Sequence, residues 1–494
     1  MGVEQPLLLK QRQPFQKWSG RNTASCWPLL VVCFAATIGL AHADITFAPT
    51  ARVQVNATDN VRRQASNQEG DVVFVTQAGV LVDADTLRLK FLGTGSLLYR
   101  AFVENSASNR LSGNLLANAV VNVVPDFLFI EGRAQISDEF LNVADQSATG
   151  LPNGNAQARI FNYQLGSYIK TEVLGKADAV LRGQMSAVQS DPLDGAASIT
   201  ALSDSIAYQV SALITNGGRS HIAVWRLTAD YTLEERDNNQ SFRSGDALLG
   251  VTVRVTPRIH AVGQVGYEDI SGTTIDPING TIWSAGMTYK IGEASTFSAD
   301  LRHRFGQDSW NGNLNLALSE KLFLTASYKE RLESQQLRLG RALTDVFGQQ
   351  GNLPPPPVPV PVSLNEDLVD DLFYTKDANA GVVYKTFNRS FEISARFSQR
   401  EIQALNTSDE TAGLTVTYTE TLLRDLLLDL SGTYNATLEA RTGQVPSDRY
   451  TGSGGLNYRL NEATAAQFRY TWSRTDATDT ISENVASAAL THAF

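Results

Sequence analysis

The chain has almost no cysteine. Its only two, Cys26 and Cys33, fall within the first 43 residues. The remaining 451 residues can hold no disulfide framework and no thiolate chemistry. Long apolar runs are also missing. After residue 43 no stretch approaches the roughly 20 apolar residues of a membrane helix. Histidine is scarce: His42, His221, His260, His303 and His492 are scattered singly, which argues against a clustered metal site. Basic charge is in deficit, with 41 Lys and Arg against 51 Asp and Glu, the wrong balance for a nucleic-acid partner. There is no Gly-x-Ser-x-Gly, no His-Glu-x-x-His and no Gly-rich phosphate loop. No catalytic site and no cofactor are therefore indicated.

What is present begins with targeting. Lys10, Arg12, Lys17 and Arg21 precede an apolar stretch from Pro28 to Leu40, and Ala41-His42-Ala43 supplies a small-x-small cleavage site. This pattern is a secretory signal peptide over residues 1–43, with cleavage expected after Ala43. The mature portion, 44–494, then carries 37 bases and 50 acids, a net charge of −13. An exported chain with no apolar helix is periplasmic, secreted or an outer-membrane barrel.

Alternation decides among these. In Ala466-Gln467-Phe468-Arg469-Tyr470-Thr471-Trp472-Ser473 the apolar and polar residues alternate strictly. Strand side chains alternate faces, so Phe468, Tyr470 and Trp472 share one face and Arg469 and Thr471 the other. The same pattern recurs around Leu128–Ile136, Leu181–Ala187, Trp225–Leu233, Leu249–Val255, Phe297–Leu301, Phe391–Phe397, Leu414–Tyr418 and Leu428–Tyr434. Tight turns such as Pro125-Asp126, Leu174-Gly175-Lys176 and Thr256-Pro257-Arg258 separate some segments. Longer polar connections, near 58–70, 140–156, 190–202, 235–245, 271–280, 402–411, 439–448 and 475–483, separate others. Short turns at one end and long loops at the other mark an all-β, antiparallel, up-and-down outer-membrane barrel. The spacing predicts about 22 strands, with 18–22 compatible, and an even number places both termini on the periplasmic side. Heat-modifiable migration would separate this fold from a soluble sandwich or propeller.

One region departs from the rhythm. Residues 334–372 contain Pro354-Pro355-Pro356-Pro357-Val358-Pro359-Val360-Pro361 followed by Glu366-Asp367 and Asp370-Asp371. Such prolines favour an extended segment that cannot join a sheet. A long Pro-rich, acidic loop is expected here, lying outside the barrel or folded into its lumen.

The polar face is where function is sought. It collects Arg133, Arg182, Arg226, Arg254, Arg302, Arg304, Arg396, Arg459 and Arg469, with Glu131, Asp230, Asp300, Glu392 and Asp429. Charges inside a barrel can simply pair and hold water, or they can form a selectivity surface for a polar or anionic solute. Mixed signs argue against strong ion selectivity.

The last strand places Ala486, Ala488, Leu490 and Phe494 on one face. Leu490 and a terminal Phe494 resemble the signal read by the outer-membrane assembly machinery, although His492 stands where that signal usually has an apolar residue. A wider set of segments also carries a likeness. It comprises Ile45-Thr46-Phe47, Ala57-Thr58-Asp59-Asn60-Val61, Leu128-Phe129-Ile130-Glu131-Gly132-Arg133-Ala134, Tyr163 to Ile169, Gly266-Tyr267-Glu268, Ile282-Trp283-Ser284-Ala285-Gly286-Met287 and His303-Arg304-Phe305-Gly306. In order and spacing this set resembles the PEP-CTERM-system-associated outer-membrane proteins of proteobacteria. The resemblance implies a setting beside exopolysaccharide production and export, in the outer membrane of a Gram-negative cell. Its implied partners are outer-membrane lipid, the barrel-assembly machinery, and exopolysaccharide or its export proteins. The expected role is a restricted pore for polar material. A non-transporting scaffold and a general porin are the competing readings.

Overall fold

The computed structural model describes residues 44–140, 157–193, 202–217, 222–349, 368, 370–402, 407–440 and 445–494. The signal segment 1–43 and the proline run 354–361 lie outside the described residues. The strands are β1 (Asp44–Thr58), β2 (Asp71–Asp85), β3 (Leu89–Phe102), β4 (Arg110–Val124), β5 (Leu128–Phe140), β6 (Gln157–Val173), β7 (Ala177–Pro192) and β8 (Ser205–Thr215). They continue as β9 (Ala223–Arg236), β10 (Ser241–Arg254), β11 (Ile259–Gly272), β12 (Ile278–Lys290), β13 (Thr296–Arg304), β14 (Gln307–Ala317) and β15 (Leu322–Ser334). A helix, α1 (Gln335–Gln349), intervenes before β16 (Leu372–Lys385), β17 (Arg389–Ile402), β18 (Thr407–Leu423), β19 (Leu426–Glu439), β20 (Asp448–Arg459), β21 (Thr464–Asp476) and β22 (Thr480–Ala493).

Each strand pairs antiparallel with the next, and β22 returns to β1 with Thr50 opposite Ala493 and Thr58 opposite Val485. The sheet is therefore a closed barrel of 22 strands with no free edge. The segment Ala466–Ser473 is its penultimate wall, with Phe468 opposite Ala488 of β22. Both described ends of the wall, Asp44 and Ala493, lie at the end that carries the tight turns. Those turns use left-handed backbone where required, as at Asp126 (φ 59°), Leu174 (φ 55°) and Gly175 (φ 66°).

Several connections are shorter than alternation indicates. Only 237–240, 273–277, 403–406 and 477–479 separate strands where the polar runs predict longer loops. The strands run 9 to 17 residues, whereas about 9–11 suffice to cross a bilayer. Beyond the membrane both faces of a strand meet water, so the hydrogen-bond ladder continues after the apolar/polar alternation has stopped.

The outer face is apolar and ringed by aromatics. Phe47, Trp225, Phe323, Tyr384 and Tyr458 stand exposed near the turn end, and Tyr267, Trp283, Trp310, Tyr450 and Trp472 stand exposed higher up. On β20 the two levels are Tyr458 and Tyr450. Eight positions correspond to roughly 27 Å along a strand, which after tilt approaches the apolar band of about 25 Å that barrels present to lipid. Leu490 and Phe494 also face outward, at 49% and 74% exposure, and the Phe494 N–H donates to the Pro49 carbonyl at 3.0 Å.

Residues 334–372 differ most from expectation. Rather than one extended loop, their first half is helix α1 and Leu372 already belongs to β16. Ser334 ends β15 and caps α1, its Oγ accepting the Leu337 N–H at 3.1 Å. Leu339 and Leu343, one helical turn apart, are both buried. The prolines that dominate the sequence pattern begin only after this helix.

Candidate functional site: the lumen and its inward helix

Helix α1 leaves β15 and packs against β5, β6 and β7, so it crosses the lumen instead of lying over the mouth. Two β6 side chains grip its backbone: Asn162 Nδ2 donates to the Leu339 carbonyl at 2.9 Å, and Gln164 Nε2 donates to the Gly340 carbonyl. Gly340 permits that approach, because a Cβ there would stand 3.2 Å from Gln164 Nε2. Thr344 Oγ1 completes the grip by donating to Gln164 Oε1 at 3.1 Å. Beside these bonds Leu339 packs with Ala158, Ile160, Val188 and Leu202. Leu337 reaches a second cluster of Phe242, Ile270 and Leu372 with Phe305 at its margin.

Ion pairs tie the helix down as well. Arg341 is bidentate on Glu333, with the Nη2–Oε1 contact at 2.6 Å. Arg338 lies 3.6 Å from Asp377 and 3.8 Å from Glu333. At the start of α1, Ser334 donates to Glu234 at 2.9 Å, and Arg236 pairs with Glu234 at 3.2 Å. Gln336 donates to Asp370 at 2.9 Å and to the Ser203 carbonyl at 3.1 Å. Leu343 is fully buried, and removing such a side chain costs about 2–5 kcal/mol in ordinary cores. Leu343→Ala should therefore loosen α1 while leaving the wall intact. Limited proteolysis within 335–371, with unchanged heat-modifiable migration, is the expected readout; loss of the folded band would contradict it.

Two acids outside the strands are shifted by burial. Burial raises the Asp371 carboxyl above the usual carboxylate range, with Asp370 adding to the effect and Arg236 opposing it. Burial likewise raises Asp204, where Asp237 and Asp191 add and the Ser190 N–H opposes. An acid raised in the native state stabilises it most when protonated. That contribution is complete below the ordinary carboxylate pKa and is lost as pH rises through the raised value. Acidification toward the ordinary carboxylate range is thus expected to hold the segment that includes Asp371, and α1 beside it, more firmly. Stronger hydrogen-exchange protection of the 337–344 amides would show it; weaker protection would refute it.

The charged residues singled out by alternation occupy the inward face in small groups. Buried Glu131 accepts from Arg133 at 3.2 Å and from Arg182 two strands away. Arg302 pairs with Asp300 at 2.9 Å, and Arg469 with Asp429. Arg304 bridges Asp246 at 2.7 Å and Glu268 at 3.5 Å, two acids that the sequence reading missed although both hold inward parity on β10 and β11. Arg396 and Glu392 line a 590 Å³ recess with Asn313, Asn379 and Asn435. Arg226 lines a second, of 520 Å³, with Gln264, Arg302 and Asn311. Asp230 stands opposite Asp246 across the β9–β10 ladder. Arg254 ends β10 opposite His260. Arg459 sits at the turn-end rim, 56% exposed and 2.8 Å from Asp425, not beside the other lumen charges. The sequence reading also missed the outer-end pairs Arg400–Asp409 at 2.7 Å and Arg63–Glu483 at 3.7 Å. These lie where alternation has faded.

Solved structures of similar architecture place this wall. Two variants of the FrpB iron transporter from Neisseria meningitidis align over 90% and 92% of this chain and 82% of theirs. Their TM-scores are 0.52 and 0.51 and their identities 9% and 10%. The chain has the fold of an outer-membrane β-barrel. At this identity the likeness concerns the fold alone. A loop-deletion form of OmpT, an outer-membrane protein of Vibrio cholerae, aligns over 92% of the chain at a TM-score of 0.33 and 10% identity. No family model and no curated protein matches the sequence. Among the described residues the lumen thus combines charges of both signs, many of them paired, with a helix held against the inner wall.

Proposed function

We propose that the barrel is a restricted pore for polar material, with passage rather than catalysis as its role. The observation that carries this reading is α1, clamped across a charged lumen. Barrels of this strand number would otherwise leave a wide interior, and 22-stranded transporters carry a plugged one. Here the inward helix takes the place of a constriction. Paired Arg and Asp/Glu groups keep the interior wet while favouring neither sign strongly. The cargo we propose is exopolysaccharide or a comparable hydrophilic surface polymer. That choice rests on the family resemblance of the sequence together with the amide- and hydroxyl-rich recesses. Planar-bilayer recording of the folded chain tests the pore: small, weakly ion-selective conductance is expected, and a folded barrel that never conducts refutes it.

A further inference from the structure

The recess on β9–β14 is built differently from the rest of the lumen. Arg226, Gly250, Gln264, Ser284 and Arg302 form one registered row across five adjacent strands. Four interstrand steps make this row roughly 19 Å long. Gly250 lowers its floor. A Cβ there would lie 3.2 Å from Arg226 Cγ and Nε and 3.4 Å from Gln264 Cγ. The arginine and the amide therefore lie across the glycine, toward the middle of the row. The space enclosed is 520 Å³, within the range of small-ligand sites.

Its charge is only partly committed, since Asp300, which also lines it, holds Arg302. Arg226 forms no ion pair among the described residues. Arg302 turns Nε and Nη2 to one oxygen of Asp300, at 3.1 and 2.9 Å, and leaves Nη1 unused. Farther up the same strands, Asp230, Asp246 and Glu268 stand side by side as an acidic row, engaged by Arg304. Nearer the turns, Arg226 is the recess arginine that has no acid partner among the described residues.

We propose that this recess binds an anionic saccharide. Its acidic group would sit on Arg226, over Gly250, with the free Nη1 of Arg302 taking oxygens at the far end of the row, and its hydroxyls on Gln264, Ser284, Thr252 and Asn311. Guanidinium forks match the oxygens of carboxylate or phosphate. Amides and hydroxyls both donate and accept, as sugar hydroxyls do. Binding in a water-filled conduit must be weak enough to release. The inference rests on the lumen being a solute path, but its test separates the two claims.

The test is calorimetric titration of the full, detergent-folded chain with trigalacturonate, glucose 6-phosphate and maltotriose. The anionic probes should bind and maltotriose should be weaker by about tenfold, the equivalent of 1.4 kcal/mol. Arg226→Gln and Arg302→Gln should each lose about tenfold. Gly250→Val, which fills the floor while keeping both arginines, should also lose binding; heat-modifiable migration confirms that each variant folds. A preference for trigalacturonate or for glucose 6-phosphate identifies the source of the acidic group. Equal binding of maltotriose, or unchanged affinity in Arg226→Gln, overturns the site. In parallel recordings, a barrel that binds but never conducts keeps the site and refutes the pore, whereas one that conducts without binding refutes the site alone.

Discussion

Excising α1 and its following segment, with β15 and β16 rejoined by a short turn, is expected to raise single-channel conductance several-fold. The helix crosses the lumen and is held there at its start and its middle. Asn162 and Gln164 hold the middle from β6, and Glu234, through Ser334, holds the start from β9. None of these contacts is part of the β15–β16 ladder, in which Leu322 pairs with Tyr384 and Ser334 with Leu372. The wall should therefore close without the insert. Bilayer recording of the excised form beside the full chain measures the difference, and heat-modifiable migration confirms that both are folded. Unchanged conductance would mean that α1 is not the constriction.

The second large effect concerns the wall itself. Leu249 and Leu248 are neighbours on β10, but Leu249 is 47% exposed on the outer face whereas Leu248 lines the inner recess. Leu249 lies two positions from Val251, the partner of Trp225, and two from Ala247, the partner of Tyr267, inside the apolar band. Arginine at such a depth on the lipid face costs about 2–4 kcal/mol. Leu249→Arg should lower folding stability by that order in lipid vesicles, while Leu248→Arg, meeting water, should change it little. Equal losses at the two positions would place the lipid and lumen faces wrongly.

Alternation makes the wall legible because it is a local signal. A strand places successive side chains on opposite faces, and lipid outside with water inside turns that geometry into a readable period. Residues such as Phe468 and Arg469 declare their faces without reference to any distant partner. The tight turns are equally local: Pro125-Asp126 and Leu174-Gly175-Lys176 stand where strands reverse. Strand ends are less legible, as at Ser241 and Phe242, which fall in an expected loop yet begin β10. There both faces meet polar surroundings and the period disappears.

The charge partners show the same division. Arg302 and Asp300 are two residues apart on one strand, so their pairing can be anticipated. Arg304 with Asp246 spans 58 positions and depends on the register of four strands. Helix α1 is hidden for two reasons. Leu339 and Leu343 offer only a short apolar stripe, too little for an isolated helix to form. The partners that hold it, Gln164 and Glu234, are 176 and 100 residues distant.

Local pattern was therefore enough to specify a barrel wall of this kind, its two faces and the end at which it begins and closes, because each follows from a period of two and from turn chemistry. Three outcomes needed the assembled barrel: residues 335–349 turn inward as a helix, Arg226 and Arg302 share one recess, and Arg459 belongs to the rim. They depend on ring closure and on register between distant strands, which no local pattern encodes.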